Sequence, residues 1–234
     1  GMMLRLIYLF SLLLSFHSVA FQVQPMVAEL APSGSNAQQT IRVMNNSSAS
    51  LAIELTAFDL KITPSGEEQL TTNDADFFIL PMTTIIAPGK SQSILIRYVG
   101  DPILAASKSY RIGVDQVMID TGESNQSGVG IATSFRTLFT VVPEGATAKL
   151  VIDQKQQQQE GLWKVRLKNE GNKLLRLSKS TWFIEQHDDT MNLAGEELSR
   201  ALSGKLLLPH SSREVLLKVP KQFKAEQSKL KVQF

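Results

Sequence analysis

Apolar residues recur at every second position over short stretches of this chain, and turn residues punctuate the stretches at regular intervals. Leu51, Ile53 and Leu55 share one face, as do Ile94 and Ile96, and Tyr110, Ile112 and Val114. A period of two is the signature of a strand with one buried face. The clusters "NNSSAS", "TPSGEE" and Pro88-Gly89 supply turns between the runs. The pattern predicts strands over residues 21–30, 40–44, 51–58, 91–99 and 109–119, with two short runs between 77 and 87. It predicts no convincing amphipathic helix. One further segment stands out by its length. From residue 129 to 141, Val129, Ile131, Thr133, Phe135, Thr137, Phe139 and Val141 lie on one face, and Arg136 sits on the other. Strands usually run about 5–6 residues, so this one is expected to be more than twice that length.

Seven or more strands at even spacing predict an antiparallel β-sandwich of immunoglobulin type. Pro143, Glu144, Gly145 and Ala146 then read as a linker. A second strand series follows in "AKLVID", "LWKVRLKNEGN", "LLRLSKSTWFIEQ", "GKLLLPHSSREVLLKVP" and "SKLKVQF". The fold class expected is therefore all-β, with two sandwich domains, residues 21–145 and a smaller 146–234. Within the second, "QKQQQQEG" (154–161) reads as a solvated hairpin loop.

The chain opens with Arg5, an apolar run over residues 6–16, and Ser18-Val19-Ala20. That order predicts a secretory signal peptide over residues 1–20, cleaved after Ala20. The run is too short for a membrane span, which needs about 20 residues, so no stable membrane insertion of the mature chain is expected. There is no cysteine, which excludes a disulfide scaffold and thiolate metal sites.

Charge divides unevenly. Residues 21–145 carry 7 Lys/Arg against 12 Asp/Glu, net −5, and residues 146–234 carry 16 against 10, net +6. The basic residues are scattered through strand-like segments with little aromatic interleaving, which favours docking of two oppositely charged domains, or plain solvated faces, over nucleic-acid binding. His187 and His210 lie in turn-like segments without metal-ligand spacing. The acids of "DADF" (74–77) and "GEEL" (195–198) read as solvated loops, and Asn46-Ser47-Ser48 as a β-turn. No nucleophile, base and acid pattern and no phosphate loop is present. The sequence predicts no enzyme and no cofactor.

Several segments together resemble the PapD-like periplasmic pilus (fimbrial) chaperones of the chaperone–usher pathway. They are "VMNNSS", "IIAPGKSQSILIRY", "SYRIGVDQV", "LFTVVPEGA", "LKNEGN" and "LLLPHSSREVLLKVP", and the resemblance covers nearly all of residues 21–234. It implies two immunoglobulin-like domains joined by a short hinge, L-shaped, with a cleft between them. It implies a periplasmic chaperone that binds and stabilises pilus subunits by donor-strand complementation and delivers them to an outer-membrane usher. This is a known mode of strand addition. The donor positions it implies are Val129, Ile131 and Thr133. Phe135, Phe139 and Val141 would pack in the chaperone's own core. Arg136 would bind the client's terminal carboxylate, a task suited to the guanidinium fork. The family's second cleft cation, in the first strand, has no counterpart. Gln24 and Met26 occupy that region, so either Arg136 acts alone or Arg111 substitutes. Arg97 is expected to be structural, pairing near the sheet or linker. The competing reading is a two-sandwich binding or structural module, such as a pilus component, an adhesin or a partner of another secreted protein.

Overall fold

The computed structural model describes residues 21–118 and 132–234. The predicted signal peptide lies outside the described residues, as do donor positions Val129 and Ile131.

The first half builds ten strands: β1 (Phe21–Gln24), β2 (Val27–Leu30), β3 (Gln38–Asn45), β4 (Leu51–Ile62), β5 (Glu68–Thr72), β6 (Phe77–Leu80), β7 (Thr83–Ile86), β8 (Ser91–Tyr98), β9 (Lys108–Val117) and β10 (Ser134–Val141). They form two facing sheets, β1-β3-β8-β6 and β2-β10-β9-β4-β5, with β7 added along the start of β4. The segment 21–30, expected as one strand, is two. Pro25 has no N–H to offer a ladder, and around it the chain leaves one sheet and joins the other. β1 pairs antiparallel with β3, whereas β2 pairs parallel with β10. β4 also runs past its expected end, because its last residues pair with β5.

Alternation sorts the side chains as the pattern predicts. Ile41, Ile53, Leu55, Ile94, Ile96, Ile112 and Phe139 are all buried between the two sheets. Each buried aliphatic side chain contributes about 1.5–3 kcal/mol. Val141 is buried with them, and Phe135 packs half-buried against the same core, its ring edge-on to Phe21 at 4.9 Å.

The acids of "DADF" are not simply a solvated loop. Asp76 accepts hydrogen bonds from the Tyr110 hydroxyl at 2.6 Å, Lys108 at 3.0 Å and Asn73 at 3.0 Å. Burial works against the charged carboxylate, but these hydrogen bonds prevail and hold its pKa below the ordinary value. Burial and the bond to Asp76 push the Tyr110 phenol far upward. A buried tyrosine needs a partner for its hydroxyl, and Asp76 is that partner.

The second half contains β11 (Leu150–Gln159), β12 (Leu162–Asn169), β13 (Leu175–Arg176), β14 (Thr181–Gln186), β15 (Asp189–Leu193), α1 (Gly195–Ala201), β16 (Leu206–Leu207), β17 (Ser211–Lys218) and β18 (Lys229–Gln233). Its sheets are β11-β12-β17 and β15-β14-β18, with the short pair β13-β16 beside them. The core is centred on Trp163, Trp182, Val165, Leu167 and Leu217. Each indole N–H is satisfied, Trp163 donating to the Phe223 carbonyl at 3.3 Å and Trp182 to Ser180 Oγ at 2.9 Å.

Two expectations fail here. The glutamine tract is strand, not loop. Residues 154–159 continue β11 along β12, with register shifts between Ile152 and Gln154 and between Gln157 and Gln159. β11 is an edge strand, where polar side chains face water at no cost to a ladder. "GEEL" opens the helix α1, whose seven residues are too few to show a periodic apolar stripe. Leu198 alone is buried.

The two cores are joined by a third apolar cluster, Leu60 and Leu138 from the first half against Leu174 and Leu206 from the second. Backbone groups bond across the same seam. Glu214 N–H donates to the Pro64 carbonyl at 2.8 Å, and Ser107 N–H to that of Asn172 at 2.8 Å. Among the described residues one ion pair crosses it, Lys173 with Glu29 at 3.7 Å.

Candidate client-binding edge and cleft

β10 has two different halves. From Leu138 to Val141 it is flanked by β9 on one side and β2 on the other. Over residues 134–137 its only partner among the described residues is β9. The change occurs where Leu138 N–H donates to the Met26 carbonyl at 2.8 Å. An unpaired strand edge is a template for another chain. Thr133 lies just before the strand, half-buried. Its carbonyl accepts from Gln116 N–H at 2.9 Å and its N–H donates to Gln116 Oε1 at 3.2 Å.

The inward face of β10 serves the core. Thr137 is buried and donates its hydroxyl to the Ile112 carbonyl at 2.8 Å. The outward face carries Arg136, Leu138 and Thr140. Arg136 is half-exposed and already engaged. Its Nη1 donates to Asp115 Oδ1 at 2.5 Å, and its guanidinium lies 5.1 Å from the centre of the Phe58 ring. Gly113, opposite it on β9, makes this possible, since a Cβ there would come within 2.7 Å of Nη1. Arg111, on the same face of β9, is mostly buried and donates to both carboxylate oxygens of Glu68. The structure thus brings the two predicted carboxylate binders onto neighbouring strands and gives each an internal carboxylate. Arg97 differs from expectation. It is exposed on β8, with no ion pair among the described residues, because the strand alternation turns it to solvent.

A cavity of ≈ 850 Å³ opens beside the other half of β10. Val27, Glu29, Leu138 and Thr140 form one wall, and Leu174, Arg176 and Lys179 belong to the other. Sequence reasoning missed Arg176 and Lys179. The only signal was the positive balance of the second half, because periodicity assigns a residue to a face and does not say which faces meet.

Two β-sandwiches in series give this chain a fold similar to that of solved fimbrial chaperones. Among solved structures the chain is similar to the class 5 fimbriae chaperone CfaA, at 17% identity and TM-score 0.57 over 92% of this chain and 99% of that one. It is similar to a chain of the SafA pilin–SafB chaperone complex of Salmonella enterica, at 8% identity and TM-score 0.56 over 87% and 86%. It is also similar to a chain of the CsuC–CsuE chaperone–tip adhesion subunit pre-assembly complex of Acinetobacter baumannii, at 14% identity and TM-score 0.53 over 84% and 89%. No family model and no curated protein matches the chain by sequence. The likeness is one of fold, and it extends across both sandwiches.

Proposed function

We propose that this chain is a periplasmic chaperone that captures pilus or fimbrial subunits by donor-strand complementation and hands them to an outer-membrane usher. The observation that carries the reading is β10, whose residues 134–137 pair on one side only among the described residues. A subunit lacking one strand exposes unpaired backbone and wet apolar surface, and residues 132–137 with the segment before them offer the missing ladder. Each restored hydrogen bond contributes roughly 0.5–1.5 kcal/mol net. Val129, Ile131 and Thr133 supply the inserted side chains in this reading, and a signal peptide over residues 1–20 delivers the chain to the periplasm. Residues 143–147 serve as the hinge between a domain ending at 145 and one beginning at 146. Arg136 and Arg111 bind the client's carboxylate in this reading, Arg136 through the guanidinium N–H groups that Asp115 leaves free. Among the described residues no helix is long and apolar enough to cross a membrane, which fits a chain that works in solution.

The test is a pull-down of candidate pilus subunits by the mature chain and by the Val129→Asp, Ile131→Asp double variant, with folding checked by circular dichroism. Charges placed in an apolar groove are costly, so the folded double variant is expected to lose capture. Undiminished capture by that variant contradicts donor-strand insertion.

A further inference from the structure

We infer that the outer half of the β4–β5 hairpin is a strut that sets the angle between the two sandwiches, clamped at its tip by Arg213 of the second domain. The inference goes beyond the chaperone reading and does not depend on it.

Three observations lead there. First, the outer hairpin serves the seam and not the first core. β4 pairs with β9 only as far as Asp59, and its last residues pair with β5 alone. All five residues of β5 are exposed. Leu60 and Ile62, the apolar residues of this extension of β4, pack against Leu138, Leu174 and Leu206 in the cluster between the domains. A lone hairpin is marginal in water, so the second domain supplies the surface this one rests on.

Second, the tip is built to receive Arg213. The neighbouring Glu214 N–H donates to the Pro64 carbonyl at 2.8 Å. Arg213 Nη1 donates to the Leu206 carbonyl of its own domain at 2.8 Å, and Nη2 reaches the Gly66 carbonyl at 3.5 Å. Gly66 has φ 96°, and a Cβ there would come within 2.5 Å of Nη2. The turn therefore needs glycine both for its backbone and for room. Burial pulls the Arg213 guanidinium below its ordinary pKa, and the charge of Glu68 at the foot of the tip works against that loss. Glu68 in turn accepts both bonds from Arg111, which ties the hairpin back to β9.

Third, among the described residues the hydrogen bonds across the seam fall into two groups. One adjoins the linker. Ser107 N–H donates to the Asn172 carbonyl at 2.8 Å and Leu174 N–H to Ser107 Oγ at 2.9 Å, while Asn172 N–H donates to the Thr147 carbonyl at 2.9 Å. The other group is the tip, where Pro64 and Gly66 meet Glu214 and Arg213 and bond no residue of the linker. Attachment beside the pivot alone leaves a hinge free to swing, and linked domains move by default. The second attachment removes that freedom. It holds β10 and the facing wall of the second domain at one spacing, so no ordering of the domains has to accompany binding.

The experiment reads the angle directly. The chain has no cysteine, so Thr40→Cys in β3 and Asn192→Cys in β15, both exposed, carry a spin label in each domain. Double electron–electron resonance on the full chain, without client, gives the distance distribution between the labels. The otherwise unaltered chain is expected to show one narrow distribution. Two variants release the strut from opposite sides. Replacing residues 63–67 with Asn-Gly closes a two-residue turn on the paired Ile62 and Glu68 and leaves the second domain untouched. Arg213→Met keeps the apolar stem and removes the donors. Both are expected to broaden the distribution, and Arg213→Lys to restore part of its sharpness, since it offers a point charge in place of a fork. Denaturant unfolding followed through Trp163 and Trp182 should show a second domain of unchanged stability in the tip replacement. A broad distribution in the unaltered chain, or one that stays equally narrow after tip replacement, overturns the strut. Broadening by tip replacement but not by Arg213→Met overturns the clamp, as does an Arg213→Met variant whose second domain is weakened while the distribution stays narrow. No client is present, so each of these outcomes is separate from the fate of the chaperone reading.

Discussion

The two sandwiches build the same corner twice. In the first, buried Asn45 ends β3. Its amide donates to the carbonyls of Ala49 at 2.8 Å and Ile86 at 2.9 Å, while its oxygen accepts from Ser47 N–H at 2.9 Å. In the second, buried Asn169 ends β12. It donates to the carbonyls of Lys173 at 2.7 Å and Leu207 at 3.3 Å, and accepts from Gly171 N–H at 3.0 Å. Each asparagine thus ties the loop after its strand to the segment before a proline turn, Pro88-Gly89 in one case and Pro209-His210 in the other. Both turns need a residue in the left-handed region, at φ 71° for Gly89 and 51° for His210. Glycine adopts that conformation freely and histidine does so at some cost. The first domain therefore has the less strained copy of a shared device.

The edges show the opposite contrast. β11, the outer strand of the second domain, carries Gln154, Gln156, Gln157 and Gln159 and has an irregular register. Polar side chains and bulges are the usual protection of an edge against a wrong partner. β10 keeps a regular register along residues 134–137, and among the described residues no strand covers its other side. One molecule thus holds a guarded edge and an available one, which is what a protein that lends a strand requires.

The comparison can be broken first at the paired corners. Asn45→Ala removes the side-chain partner of the Ile86 carbonyl and the Ser47 N–H, and Asn169→Ala that of the Lys173 and Leu207 carbonyls and of the Gly171 and Lys149 N–H groups; a stranded buried group costs about 1–3 kcal/mol. Each variant is expected to lose roughly 2–4 kcal/mol of stability in its own domain, read by denaturant unfolding with Trp163 and Trp182 reporting the second domain. A loss confined to one of the two variants would show that the corners are alike in form only.

A smaller effect separates the cores. The first domain leans on a buried tyrosine–carboxylate bond, whereas the second satisfies its two indoles with neutral partners. Tyr110→Phe is expected to cost about 1.5–3 kcal/mol, the range for a hydrogen bond to a charged group. The same bond gives the first domain an acid sensitivity. The Asp76 pKa is depressed below 3.8 in the folded chain. Its contribution is therefore fully present above that unfolded value and is lost as pH falls through the folded one. Acidification below about pH 4 should weaken the first domain, and Tyr110→Phe should flatten that dependence. An unchanged pH profile in the variant would remove Asp76 from this role.

Most strands were legible in the sequence, because alternation at Ile41 and Val43, Leu51 to Leu55 or Tyr110 to Val114 records which face is buried. What was not legible depended on contacts between distant elements. Pro25 divides the first strand because β2 finds β10, a partner more than a hundred positions away. The glutamine tract extends because β12 lies beside it, and composition alone carries no trace of that neighbour. The candidate site divides along the same line. The edge strand and Arg136 were visible from local pattern. The pairing of Arg136 with Asp115 and the meeting of Leu138 with Leu174 and Leu206 depend on how strands and domains meet.

The central claim, that this chain lends the edge of β10 to a client, is tested most directly by amide hydrogen exchange on the complex with a purified fimbrial subunit. The account predicts that exchange slows on binding for outward-facing amides within residues 132–137, while the amides along β11 keep their free-state rates. Binding that leaves residues 132–137 unchanged, or that protects β11 instead, would contradict it.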